Sequence, residues 1–157
     1  MIDATVRLEM ARLAPDFEHL AADPYVKEGF RRKHIAWFLH RGRTASTRGP
    51  SGRFERLPQM PLFQSGAYNP THGNLARTYP ELIPSDSESM MTMLSLFADQ
   101  SEMPVGETVL LQYQRITCRL GQEGEPSVEG WHRDGVTRIG ICCVSRSGIK
   151  GGKNLFR

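Results

Sequence analysis

Apolar and polar positions change period several times along the chain, and each change predicts an element. Residues 4–22, ATVRLEMARLAPDFEHLAA, place apolar residues at Val6, Leu8, Met10, Leu13, Phe17 and Leu20. That spacing is helical in part and Pro15 interrupts it, which predicts two short helices or a kinked one. Residues 30–39, FRRKHIAWFL, predict a strand. Arg31, Lys33, Ile35, Trp37 and Leu39 fall on one face, and Phe30, Arg32, His34, Ala36 and Phe38 on the other. The following HRGRTASTRGPSGRFERLPQMP reads as a long loop or a wide hairpin connection. LFQSGAYNPTHGNLARTYPELIPSD is turn-rich. SDSESMMTMLSLFADQS predicts a helix capped by Ser85 or Ser87, with Met90, Met91, Leu94, Phe97 and Ala98 as its core-facing stripe. From Thr108 the period becomes 2: TVLLQYQRITCRL predicts a strand with Leu111, Tyr113 and Arg115 opposite Gln112, Gln114 and Ile116. GQEGEPSVEG is a polar loop. WHRDGVTRIGICCVSR predicts a second strand region, SGIKGG a turn, and KNLFR the start of a third strand.

The chain has 157 residues, 39% hydrophobic and 24% charged, which fits one core and not two. No apolar run approaches the roughly 20 residues needed to span a bilayer. The N-terminus lacks the apolar stretch of a signal peptide. Three cysteines, two of them adjacent, make no disulfide framework, so reduced thiols and a cytoplasmic protein are expected. Cys142 and Cys143 would project to opposite faces of a strand and so not share an ion. With no C-x-x-C present, they and Cys118 are expected to be small core residues. The net charge of +3 is uneven. Arg31, Arg32, Lys33, Arg41, Arg43, Arg48, Arg53 and Arg56 meet only Glu55 in that stretch. Such a cluster suits small carboxylates, nucleic acid or plain solvent. No aromatic platform accompanies it, so neither nucleic acid nor membrane is the expected partner.

The chemistry concentrates at His132 and Asp134. In extended backbone, residues i and i+2 share a face, so one imidazole nitrogen and one carboxylate can meet a single ion. Together they form two-thirds of a facial triad of two histidines and a carboxylate, the set that holds Fe(II) with positions left open. A His-x-Asp alone is a short motif, and its plain reading is a surface histidine beside a turn aspartate. Its setting, after a polar loop and Trp131 and before Gly135 and an apolar run, is that of a metal site at a strand mouth. His19, His34, His40 and His72 are scattered and are expected at the surface or in packing. No dinucleotide fingerprint, phosphate loop or nucleophile elbow occurs.

The stretch VLLQYQRITC…GEPSVEGWHRDGVTRIGICCVSRSGIKGGKNLF resembles the 2-oxoglutarate/Fe(II) dioxygenase family that contains the bacterial free-amino-acid hydroxylases, such as the isoleucine hydroxylases. The family pattern is a strand ending in Arg (Arg115), a polar loop around Glu123 to Glu129, His-x-Asp, an apolar strand (Ile139 to Val144), and Gly-Gly opening the next strand (Gly151-Gly152). DPYVKEGFRRKHIAWF and LFQSGAYNPTHGNLARTYPEL are similar to its Arg-rich early strand and its turn-rich segment, so the resemblance covers most of the chain.

The resemblance implies a mainly β fold with flanking helices (α+β), a double-stranded β-helix of the jelly-roll, cupin-like kind. It implies Fe(II) held by His132, Asp134 and a later His, with 2-oxoglutarate and O₂ as co-substrates. An aliphatic carbon of a small substrate, a free amino acid, would be hydroxylated with release of succinate and CO₂. Arg115 and Trp131 are candidates to contact the cofactor or wall the site, and Arg31 and Arg32 to bind a substrate carboxylate. In the family the distal His and the Arg that anchors 2-oxoglutarate follow Gly-Gly, and here Arg157 is the last residue. Residues 1–157 are therefore expected to be one incomplete domain: 1–107 with the helices, Arg-rich strand and loops, and 108–157 with the first core strands, the C-terminal strands missing. Alone they are expected to be poorly soluble and inactive. The alternative is a non-catalytic or degenerate β-helix module that binds a small ligand or a protein partner.

Overall fold

In the computed structural model, residues 4–43, 52–127 and 130–152 are described. The predicted kinked helix is α1 (Ala4–Leu13), followed by a 3-10 turn at Ala14–Glu18 with Pro15 at its start. Proline lacks the N–H that a continuing α-helix needs, so the first helix stops there. β1 (Arg31–His40) occupies the centre of one antiparallel sheet of order β2-β1-β3, with β2 at Phe54–Arg56 and β3 at Thr108–Ile116. The Arg/Gly-rich segment is thus a wide hairpin connection, pairing Phe38 with Arg56 and His40 with Phe54. Arg48 and the rest of residues 44–51 lie outside the described residues.

Cross-strand partners share a face. The register pairs Arg32 with Arg115, His34 with Tyr113, Ala36 with Leu111 and Phe38 with Val109. This face receives the helices. α2 (Ser87–Gln100) lays Met90, Leu94 and Ala98 on it, and Leu13, Leu20, Phe54, Leu82, Met103 and Tyr113 complete the core. Phe17 stacks on Tyr113 with ring centroids 4.6 Å apart. The opposite face carries Arg31, Lys33, Ile35 and Trp37 and is also largely covered. Ile35 is fully buried, Lys33 sits over the Tyr79 ring, and the Trp37 indole donates to Met60 O. Arg31 and Lys33 are buried in this covered strand with partners, Arg31 on Asp23 and Lys33 over the Tyr79 ring.

Three expectations are corrected. The α2 cap is neither Ser85 nor Ser87. It is Asp86, whose carboxylate accepts the Ser89 N–H at 2.9 Å and the Ser89 hydroxyl at 2.8 Å. An ionised carboxylate is the stronger acceptor at a helix start, where unpaired N–H groups gather. The strand expected over Ile139 to Val144 is absent. Residues 130–152 pair with neither edge of the sheet; past the His-x-Asp motif, Arg138 donates to Ser101 O at 2.7 Å and to the Glu107 carboxylate at 3.0 Å, and Gly140 lies against the Phe97 ring. With no ladder and no layer above it, Val136, Ile139 and Ile141 are exposed, and so are Cys118, Cys142 and Cys143, which were expected in the core. The strand start expected at KNLFR lies outside the described residues. Among the described residues no helix is long and apolar enough to cross a membrane.

Candidate metal centre

His132 and Asp134 do come together. The Nε2 of His132 lies 3.3 Å from Asp134 Oδ1. The other ring nitrogen, Nδ1, is 2.9 Å from Gly130 O. A carbonyl only accepts, so Nδ1 carries a proton and the Nε2 edge of the ring faces the carboxylate. An imidazole nitrogen and a carboxylate oxygen thus face each other, the donor types that together hold a divalent cation. An octahedral ion holding two adjacent donors at about 2.1 Å sets them about 3 Å apart, so the spacing suits a divalent metal. A backbone carbonyl on the far ring nitrogen is also the usual way a protein fixes a metal-bound imidazole. Among the described residues, no third His, Cys, Asp or Glu joins the pair.

The same carboxylate oxygen is also held by the turn-rich loop. The Gln64 side-chain N–H donates to Asp134 Oδ1 at 3.0 Å. Gln64 Oε1 accepts from Asn69 Nδ2 at 2.9 Å and from the Arg77 guanidinium. All three are buried. They sit in the turn-rich segment, which closes on itself through paired bonds between Leu62 and Arg77, Asn74 N to Gln64 O at 2.8 Å, and Gly73 N to Asn69 O at 2.8 Å. The Asn69 side chain accepts the N–H groups of Thr71 and His72, the local turn that asparagine favours. Arg133 N donates to Tyr68 O at 3.0 Å, which clamps the His-x-Asp segment onto this loop. Gln64, Asn69 and Arg77 were not singled out from the sequence. They lie far from the motif along the chain, and nothing in their spacing points to it.

An open cleft of about 560 Å³ adjoins the pair, lined by Tyr68, Arg133, Asp134, Gly135, Val136, Thr137 and Ile139. The other site candidates lie elsewhere. Arg115 belongs to the helix-covered face and donates to Phe17 O at 3.4 Å. Arg32 donates to Leu20 O at 2.9 Å. Arg31 is buried and ion-paired with Asp23 at 2.7 Å, and also reaches Pro126 O. Trp131 is exposed. In the polar loop preceding the motif, Val128 and Glu129 lie outside the described residues. Within the basic stretch Arg41 pairs with Glu55, and acids from elsewhere meet others of its cations: Asp99 meets Arg43 and Arg53, and Glu81 meets Arg56.

A paired imidazole and carboxylate on a loop-supported segment beside a cleft define a candidate non-haem metal centre. The protein-family comparison agrees with that class: residues 14–156 match the family described as 2OG-Fe dioxygenase. The match spans most of the chain, so this chain belongs to the 2OG-Fe dioxygenase family, whose members use Fe(II), 2-oxoglutarate and O₂. No curated protein matches the chain.

Proposed function

We propose that the protein is an Fe(II)/2-oxoglutarate-dependent oxygenase that hydroxylates an aliphatic carbon of a small carboxylate-bearing substrate, a free amino acid, with His132 and Asp134 as two of its protein iron ligands. The observation that carries this reading is the Nε2 of His132 facing the Asp134 carboxylate at 3.3 Å, with Nδ1 turned to Gly130 O. When bound, iron with 2-oxoglutarate supplies the oxidising power that divides O₂ between the substrate C–H bond and succinate. The chain's own residues would hold and orient. Gly130 O fixes the imidazole tautomer. Arg133 offers a guanidinium to a carboxylate in the cleft, and Val136 and Ile139 offer apolar surface to an aliphatic side chain. The family pattern would take the third protein ligand from a later His, and the β2-β1-β3 sheet would form one wall of a jelly roll.

The test is succinate formation from 2-oxoglutarate across a panel of aliphatic amino acids, with and without iron and O₂. His132→Ala should reduce turnover at least about 100-fold, because removing a metal ligand removes the reaction centre. Activity that survives in His132→Ala would sink the assignment. A second reading, a non-catalytic module binding a small ligand, is favoured by the absence of a third ligand among the described residues. It predicts amino-acid binding with no succinate formed under any condition.

A further inference from the structure

Asp134 is held by a buried amide whose orientation is forced. An amide's two ends are told apart only by its partners. Gln64 Oε1 receives the Asn69 amide N–H and the Arg77 guanidinium, both of which can only donate to it. The NH₂ end must therefore face Asp134, where it meets Oδ1 at 3.0 Å. Gln64, Asn69 and Arg77 are buried, so water does not compete for the bonds among them, while the Asp134 carboxylate they hold is open to solvent. A flipped amide would point its oxygen at the carboxylate and its N–H groups at a guanidinium, leaving every contact repulsive.

We infer that Gln64 is a positioning residue for Asp134: locked by Arg77 and Asn69, it fixes the carboxylate in the attitude that lets Asp134 and His132 share one divalent cation. This rests on the metal reading of that pair. It assigns a role to the turn-rich loop, which otherwise looks like a connection between β2 and α2. The loop is built stiffly for the task. Each end of the Gln64 amide and its backbone carbonyl is bonded, and Arg133 N bonds to Tyr68 O from the motif side. Partners of this kind behind a ligating carboxylate change metal affinity by about 10- to 100-fold when removed.

The experiment is titration of the full chain with Mn(II), a redox-stable probe, following free Mn(II) by electron paramagnetic resonance. Gln64→Met keeps the length of the side chain and removes the amide. Gln64→Asn keeps an amide for Arg77 and Asn69 but is one carbon too short to reach Asp134 as well, and it guards against a folding defect in the first variant. Each should bind Mn(II) about 10- to 100-fold more weakly while a thermal melt stays cooperative. The same substitutions in an Asp134→Ala background should have no further effect, because Gln64 acts through Asp134. Leu75→Ala, an exposed change in the same loop, should bind as the parent does. If His132→Ala and Asp134→Ala weaken binding but both Gln64 variants match the parent, the positioning role is overturned and the metal reading stands. If His132→Ala and Asp134→Ala leave Mn(II) binding unchanged, the metal reading falls and takes the positioning role with it.

Discussion

Asp23 accepts the Nε–H of Arg31 at 2.7 Å, and both side chains are almost wholly buried. Asp23 also accepts the Tyr25 N–H at 2.9 Å. The pair ties the segment before β1 to its first residue, beneath the Pro126 loop that leads to His132. Removing one partner of such a pair leaves the other charge without compensation, at a cost of about 3–5 kcal/mol. Asp23→Ala should lose that much stability in urea unfolding. A loss under about 1 kcal/mol would mean that Arg31 reaches water or another acceptor, and would reopen a substrate role for it.

Asp86 predicts the acid limb of the stability curve. The Ser89 backbone N–H, then the Ser89 hydroxyl, hold its carboxyl below the ordinary aspartate range, with Arg12 adding to the shift. A depressed folded value means the charged form is the one the fold favours. Its contribution is full above the unfolded value and is lost as pH falls through the folded one. Melting temperatures of the wild type and Asp86→Asn should therefore differ most near neutral pH and converge below about pH 4. A gap that stays constant down to pH 2 would remove Asp86 from the acid response.

Gly73 is the tightest point of the loop that supports Asp134. A Cβ there would lie 2.2 Å from Asn69 O and 2.3 Å from Gly66 Cα, both backbone atoms with no side chain to swing aside. Its φ is not the left-handed kind, so crowding and not strain is what demands glycine here. Gly73→Ala should cost about 1–3 kcal/mol and should open the ring of bonds around Gln64. Mn(II) affinity should fall with stability in this variant, whereas Asp23→Ala should lower stability with Mn(II) affinity retained below its melting point. Equal affinity in Gly73→Ala and parent would show that the loop bends without disturbing Asp134.

Much of the fold was legible because its elements carry a strong local period. β1 and α2 fall within a residue or two of their expected spans, and β3 starts where expected but ends four residues early, at Ile116 instead of Leu120. The cap of α2 was misplaced by one position because the run Ser-Asp-Ser offers three competent side chains in a row, and only geometry chooses. The region from Val136 to Val144 has the composition of a strand, but a ladder needs a neighbour, and neighbours are not written into a single segment. The proximity of His132 and Asp134 was readable because it depends on two residues along one stretch. Gln64, Asn69 and Arg77 were not, because they are ordinary polar residues whose meaning arises only when a loop many residues upstream folds against the motif. For Arg115 and Arg32 the period placed each with the apolar residues of its own strand, but that the two strands pair with Arg32 opposite Arg115 on the helix-covered face is a consequence of register that a single segment does not carry.

The thiols give the last prediction and test the corrected surface directly. Cys118, Cys142 and Cys143 are all free and exposed, so native protein should react with three equivalents of Ellman's reagent without denaturant. The three should not react alike. Neighbouring atoms crowd Cys142, and that partial desolvation, with Cys143 beside it, pushes its thiol above the ordinary range. Thiolate is the reacting species, so a raised value means less of it at neutral pH and a slower reaction. Cys142→Ser should remove the slow phase and leave the other two. Raising the pH from 7 to 9 should speed that phase more steeply than a thiol of ordinary acidity would allow. Three equivalents appearing only after unfolding would instead place the cysteines under a further layer of structure, as the strand pattern of Ile139 to Val144 had predicted.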